Sequence, residues 1–271
     1  MARAALLQMT TGIDPDANAV FLTDMVERAA DGGADMMFTP EMCGLLDSKR
    51  SRAREHIVPE ADDRVLAAMR EAAARRGIWI ALGSLAIATS ESKWVNRAFV
   101  IDANGGIAAR YDKMHMFDVD LDTGESWRES NAYDAGEQVV AVDTPLGRLG
   151  LAICYDIRFP ALFDALGQEG CDVIAIPAAF TVPTGKAHWH VLQRARAIEA
   201  SAYVIAAAQV GEHEDGRSTY GHSLVVDPWG EVLVDLGGEK AQLGFADLDP
   251  ARIAQVRAQL PSLANRRLIT K

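Results

Sequence analysis

Leu149-Gly150-Leu151-Ala152-Ile153-Cys154-Tyr155-Asp156-Ile157-Arg158-Phe159-Pro160 reads as an apolar strand that breaks into a polar turn and then a helix. Phe159, Leu162, Phe163 and Leu166 carry that helix at three- and four-residue spacing. Val173–Ile176 follows as a second continuous apolar strand. A helix from about 185 to 200 and a strand at Tyr203–Ala208 come next. Short apolar runs that alternate with helices are the pattern of an α/β sheet with its strands buried on both faces.

The same order stands upstream. Residues 3–9 read as a strand. Asp14-Pro15 supplies a helix cap with proline in the first turn, and Leu22, Met25, Val26 and Ala29 follow at helical spacing before Gly32-Gly33. Asp35–Phe38 is a short strand. Residues 62–76 form a helix with Val65, Leu66, Met69, Ala72 and Ala73 on one face. Ile78–Ile87 is a strand, and Asn104-Gly105 turns a hairpin between Arg97–Asp102 and Gly106–Tyr111. Val139–Val142 precedes the second half, which ends in a hairpin at Asp227-Pro228-Trp229-Gly230. One β-α-β-α-β-β plan is thus used twice. Two mixed sheets packed face to face with helices outside give an αββα sandwich, expected as a single domain over 1–271.

The chain has 271 residues, is 49% hydrophobic and carries 27 basic against 38 acidic side chains, a net charge of −11. Such a chain repels phosphate backbones, so nucleic acid is not an expected partner. It has no run of about 18 apolar residues, so no membrane span is expected. The Met1–Leu7 stretch is too short for a signal peptide. Three cysteines, Cys43, Cys154 and Cys171, argue against a disulfide framework and for the cytoplasm.

Active groups in α/β sheets gather beyond the carboxyl ends of strands. Glu41 follows the strand ending at Phe38, Lys113 follows the one ending near Tyr111, and Cys154 follows the run ending at Ile153. A cysteine at the head of a helix feels its positive dipole, which favours the nucleophilic thiolate. It also reads as an ordinary buried strand-end cysteine. Glu41 sits among Met36, Met37, Phe38 and Pro40, where burial would raise its pKa and suit it to carry a proton. Alone it also reads as a cap or ion-pair glutamate. Lys113, among Tyr111, Met114 and Met116, is a candidate fixed positive charge.

Phe38-Thr39-Pro40-Glu41, Tyr111-Asp112-Lys113-Met114-His115 and Gly150 through Pro160 resemble the three signature blocks of the nitrilase superfamily, in that family's order. The resemblance continues through Ala187-His188-Trp189, Arg194–Glu199 and Tyr220-Gly221-His222-Ser223 to Asp227–Gly230. It implies an αββα fold, a homodimer or higher homo-oligomer, no cofactor, and a Glu–Lys–Cys triad that falls on Glu41, Lys113 and Cys154. It further implies a supporting glutamate, Glu129 with Glu125 as fallback, and a Tyr155 backbone N–H facing an oxyanion. Where true nitrilases usually carry tryptophan and glutamate after the cysteine, this chain has Tyr155-Asp156, which favours amides. The Cys-Tyr-Asp-Ile-Arg-Phe-Pro form is similar to the branch of omega-amidases and deaminated-glutathione amidases. That implies a small amide substrate that also bears a carboxylate, cleaved to acid and ammonia through a thioester. Arg158, with its planar fork, is the candidate carboxylate binder, or else the partner of an acid such as Asp156. Phe180 and Thr184 are candidate pocket residues by the same resemblance.

Five other readings remain open: an N-carbamoyl amino acid amidohydrolase, an acyltransferase, a nitrilase, a Cys–His hydrolase using His115, His188 or His222, and a non-catalytic scaffold. No metal is expected, because His188 and His190, two apart on a helix, do not face each other. The run Asp118-Val119-Asp120-Leu121-Asp122 reads as a solvated loop, and segments 42–58 and 117–130 are expected to shape the pocket mouth.

Overall fold

The computed structural model of the protein describes residues 1–90, 93–120, 122, 124 and 126–267. Helices begin and end where the sequence offers caps. Asp14 accepts a hydrogen bond from the Asp16 N–H at the head of α1 (Pro15–Asp31). Asp63 accepts from the Leu66 N–H at the head of α2 (Arg64–Arg76), which ends in a left-handed Gly77.

The first sheet holds β1 (Ala2–Gln8), β2 (Met36–Phe38), β3 (Trp79–Ala88), β4 (Trp94–Ile101) and β5 (Ile107–Asp112) in sequence order. The second holds β6 (Ala141–Thr144), β7 (Gly147–Leu151), β8 (Val173–Ala175), β9 (Tyr203–Ala206), β10 (Leu224–Val226) and β11 (Val232–Asp235). A final strand, β12 (Gln242–Leu248), returns to pair antiparallel with β1. In the first sheet β1, β2 and β3 run parallel and β4 and β5 antiparallel. In the second, β7, β8 and β9 run parallel and β10 and β11 antiparallel. The expected repeat is therefore present, with β12 and β6 as matching antiparallel edges.

Alternation along the strands sets the layers. Ala4, Leu6, Met36 and Phe38 share a core with Leu149, Leu151, Ile174 and Val204 of the second sheet. The interleaved Ala5, Leu7 and Met37 face Leu22, Met25 and Val26 of α1 and Val65, Leu66 and Met69 of α2. On the far side, α3 (Pro160–Gln168) and α4 (Val182–Ala200) cover the second sheet through Phe163, Leu166, Trp189 and Ala197. The result is helices, sheet, sheet, helices.

Several details differ from the sequence reading, among them the strand bounds of β4 and β9 and an added hairpin of Val210–Glu212 with Ser218–Tyr220. Helix α4 starts at Val182, because Pro183 fits the first turn of a helix. Asp118–Asp120 pairs antiparallel with Ser126–Arg128 rather than lying in an open loop. Strand β12 and the helix α5 (Pro250–Gln259) are additions to the doubled plan; β12 is half-exposed and its glycine interrupts the apolar alternation.

Candidate active site

Glu41 lies three residues beyond β2, and its segment is held from two sides. The Gly83 N–H donates to Thr39 Oγ1 at 2.8 Å and the Met42 N–H to Ser84 Oγ at 2.9 Å, both at an irregularity in β3. From beyond β9 in the second half, Gln209 Nε2 donates to the Glu41 carbonyl at 2.9 Å. Lys113 follows β5 directly, and its N–H donates to the Asn96 carbonyl of β4.

Cys154 opens a short 3-10 turn, Cys154–Arg158, with φ +46°, a left-handed conformation that a non-glycine residue adopts only where its surroundings enforce it. Those surroundings are visible. The Cys154 N–H donates to the Pro177 carbonyl at 2.9 Å. The fully buried Asp156 accepts from the Ile153 N–H at 2.9 Å, the His115 N–H at 3.0 Å and the Tyr111 hydroxyl at 2.6 Å. Asp156 thus ties the cysteine turn to the segment that carries Lys113.

The three side chains meet in one buried polar cluster. Lys113 Nζ stands 2.9 Å from Glu41 Oε1 and 2.9 Å from Glu129 Oε2. Asn96 Nδ2 donates to Glu41 Oε1 at 2.9 Å and to Glu129 Oε1 at 3.2 Å. The Ala179 N–H donates to Glu41 Oε2 at 2.9 Å, and the Phe117 N–H to Glu129 Oε2 at 2.7 Å. Cys154 lines the same cavity as Glu41 and Lys113, close enough for its thiol to feel both charges.

Electrostatics here correct two expectations. Burial alone would push the Glu41 carboxyl up, as the sequence suggested. The Lys113 ammonium and the hydrogen bonds from Lys113 and Ala179 overcome it and hold Glu41 below the usual carboxylate range. Cys154 is not a ready thiolate. Burial and the adjacent Glu41 charge push its thiol well above the ordinary value despite Lys113. A short 3-10 turn also supplies less dipole than the α-helix head expected from the sequence. Lys113 is desolvated too, yet the charges of Glu129 and Glu41 raise it well above an ordinary lysine. The resting cluster is a carboxylate, an ammonium and a protonated thiol.

A cavity of about 230 Å³ opens onto this cluster. Trp94, Phe117, Trp127, Tyr133, Tyr155 and Phe180 supply its aromatic wall, and Arg158, Thr181 and Thr184 line it as well. Arg158 does not pair with Asp156, whose oxygens are already taken. Its guanidinium lies 5.3 Å over the Phe180 ring and 3.3 Å from His188 Nδ1, and no carboxylate among the described residues forms an ion pair with it. Thr184 Oγ1 is 2.7 Å from Thr181 Oγ1. Glu125 lies outside the described residues. No histidine among them lines the cavity: His115 is bound to Asp156 and His222 to Asp235.

Every candidate residue within the described set therefore comes to one site. The sequence reading missed Asn96, the Ala179 N–H and the structural part of Asp156. Asn96 had a signal, an amide in the apolar strand Trp94–Ile101. Ala179 had none, because only a backbone atom is used.

The sequence profile of the carbon–nitrogen hydrolase family matches residues 3–258. A deaminated glutathione amidase of Yersinia enterocolitica is 38% identical over 99% of this chain and 94% of its own. The crystal structure of the Caenorhabditis elegans NitFhit protein superposes with TM-score 0.90 at 36% identity, over 98% of this chain and 66% of that one. A variant of the amidase from Nesterenkonia sp. AN1, which shows the result of Michael addition of acrylamide at the active-site cysteine, superposes with TM-score 0.81 at 28% identity, over 96% and 98% of the chains. With this fold, this buried cluster and these relatives, the chain belongs to the carbon–nitrogen hydrolase family, within the nitrilase superfamily.

Proposed function

We propose that the protein is a cysteine amidohydrolase that cleaves the primary amide of a small substrate bearing a carboxylate, a deaminated-glutathione-amidase-like or omega-amidase-like activity. The observation that carries this reading is the buried contact of Cys154, Glu41 and Lys113 at the base of a cavity in which Arg158 has no acidic partner among the described residues. The name of the Yersinia relative points to the same substrate class.

The chemistry follows from the charge states. Glu41 takes the Cys154 proton as the sulfur attacks the amide carbon. The oxyanion that forms faces the Lys113 ammonium and the Tyr155 N–H at the head of the turn. Glu41 then passes its proton to the nitrogen, the C–N bond breaks, and ammonia leaves a thioester on Cys154. Water attacks the thioester as Glu41 takes its proton. The carboxylic acid departs and the thiol is restored. Glu129 and Asn96 act through Lys113 and Glu41, whose positions they fix. Arg158 offers a two-pronged donor to the substrate carboxylate, and Phe180 and Thr184 bound the space beside it.

Ammonia release over a panel of carboxylate-bearing amides, N-carbamoyl amino acids and nitriles tests the assignment. Turnover of the amides, with an acyl adduct on Cys154 by mass spectrometry, is the expected result. Activity confined to nitriles or carbamoyl compounds would overturn the substrate class, and an inert protein would restore the scaffold reading. Arg158→Met should raise KM for the carboxylate-bearing amide by about ten- to a hundredfold with a smaller change in kcat, the loss of one charge-assisted pair.

The three cysteines are free, and no helix among the described residues is long and apolar enough to cross a membrane, which supports a cytoplasmic setting. Val191 and Ile198, seven residues apart, are exposed on one face of α4, and Ile198 lies against Gly230 of the turn that carries the exposed Trp229, which supports pairing of two copies through that face.

A further inference from the structure

We propose that His190, His222 and Asp235 form a binding site for one divalent transition-metal ion of the zinc class, on the outer side of the wall that bounds the substrate cavity. His188 and His190 diverge, as their spacing requires. The fold instead brings His222, from the loop before β10, and Asp235, from the end of β11, to His190 on α4.

His190 Nε2 is 2.9 Å from Asp235 Oδ2, and His222 Nδ1 is 3.0 and 3.1 Å from the two Asp235 oxygens. All three donor atoms lie within 4.8 Å of one another. Bonds of about 2.0–2.1 Å in a tetrahedral N/O site put ligand atoms about 3.3 Å apart, so two of the three edges need to open by only about 0.2–0.4 Å. Two imidazoles and a carboxylate suit zinc, nickel, cobalt or iron, with water completing the sphere.

Two of the three ligands, Asp235 and His222, are also held in place by neighbouring groups. The Gly237 N–H donates to Asp235 Oδ1 at 2.9 Å. The His222 backbone sits at φ +54°, with its N–H on the Gly237 carbonyl and its carbonyl accepting from Trp189 Nε1 at 2.8 Å. The Tyr220 ring stacks on the His222 ring at 4.4 Å. Between a quarter and a third of each side chain is exposed, so an ion can enter from solvent.

The site would act on the cavity without touching substrate. Trp189, next to His190, packs 5.0 Å from Phe180, and the Tyr220 N–H donates to the Phe180 carbonyl. A bound ion would pin α4 to the 220–222 loop and so fix the Phe180 wall.

The test uses tag-free, chelator-stripped protein titrated with Zn²⁺ against a chromophoric chelator, and with Co²⁺ as a spectroscopic probe. One equivalent of Zn²⁺ should bind and raise the melting temperature. His190→Gln and Asp235→Asn should each weaken binding at least about tenfold, since loss of a ligand costs no less than loss of a second-shell partner. Co²⁺ should give visible bands without a thiolate charge-transfer band. The proposal is overturned by failure of the parent to bind one equivalent, by unchanged affinity in both variants, or by a thiolate band that puts the ion on Cys154. If one variant fails to fold by circular dichroism, the other variant and the Co²⁺ spectrum still decide.

Discussion

At the scale of single residues, the cluster works because charge and proton are already sorted before substrate arrives. Glu41 is ionised beside Lys113, and Cys154 keeps its proton. Glu41→Gln should therefore lower kcat/KM by about 10²- to 10⁴-fold, the usual worth of a general base. A Cys–His enzyme would tolerate that change, so near-normal activity in the variant would count against the proposed triad. The pH profile makes the same distinction. The folded Glu41 value is depressed, so its stabilising charge is present above the ordinary carboxylate pKa and is lost only as pH falls through the lower folded value. The folded Lys113 value is raised, so its contribution is present below the ordinary lysine pKa and is lost as pH rises beyond it. Between those limits, from about pH 5 to about pH 10, the pair stays charged. The expected kcat/KM profile has no histidine-like step near pH 6.5, and a full step there would point to another base.

At the scale of elements, strand geometry places the carboxylate. At Gly83 in β3 a Cβ would lie 2.0 Å from the Thr39 carbonyl oxygen and 2.4 Å from that of Pro40. The absence of a side chain lets the Thr39–Met42 segment lie flat on β3 and present Glu41 inward. Gly83→Ala should cost about 1–3 kcal/mol of stability by overpacking. Because the displaced backbone carries Glu41, activity in protein that remains folded should fall by about 10²-fold. Denaturant melts and kinetics on the same sample measure both, and a stability loss with unchanged kcat would show that the segment does not position the base. The element boundaries were largely legible because caps are local: Asp14, Asp63 and Gly77 mark helix ends through their own side chains or backbone freedom. The irregularity in β3 was not legible, since a bulge is defined by the partner strand.

At the scale of the whole molecule, the site exists only because the two halves are joined across the sheets. Glu41 and Lys113 come from the first half, and Cys154 and the Ala179 N–H from the second. Buried glutamines bridge the seam: Gln8 Oε1 accepts from the Ser223 N–H at 2.8 Å, and Gln209 bonds both Thr11 and the Glu41 carbonyl. We propose that residues of both halves, which share one inter-sheet core, unfold as a single unit. Calorimetry should give one transition whose van't Hoff and calorimetric enthalpies agree, and two separated transitions would divide the chain into two domains.

The sequence by itself determined the alternating elements, the doubled plan and the three chemistry-bearing strand ends, because periodicity, caps and residue type are local properties of the chain. Only the tertiary structure decided the protonation of the cluster, the freedom of Arg158 from Asp156, and the meeting of His190 with His222 and Asp235. Each of those depends on burial and on partners far away in the chain, and neither distance nor desolvation is written in any one segment.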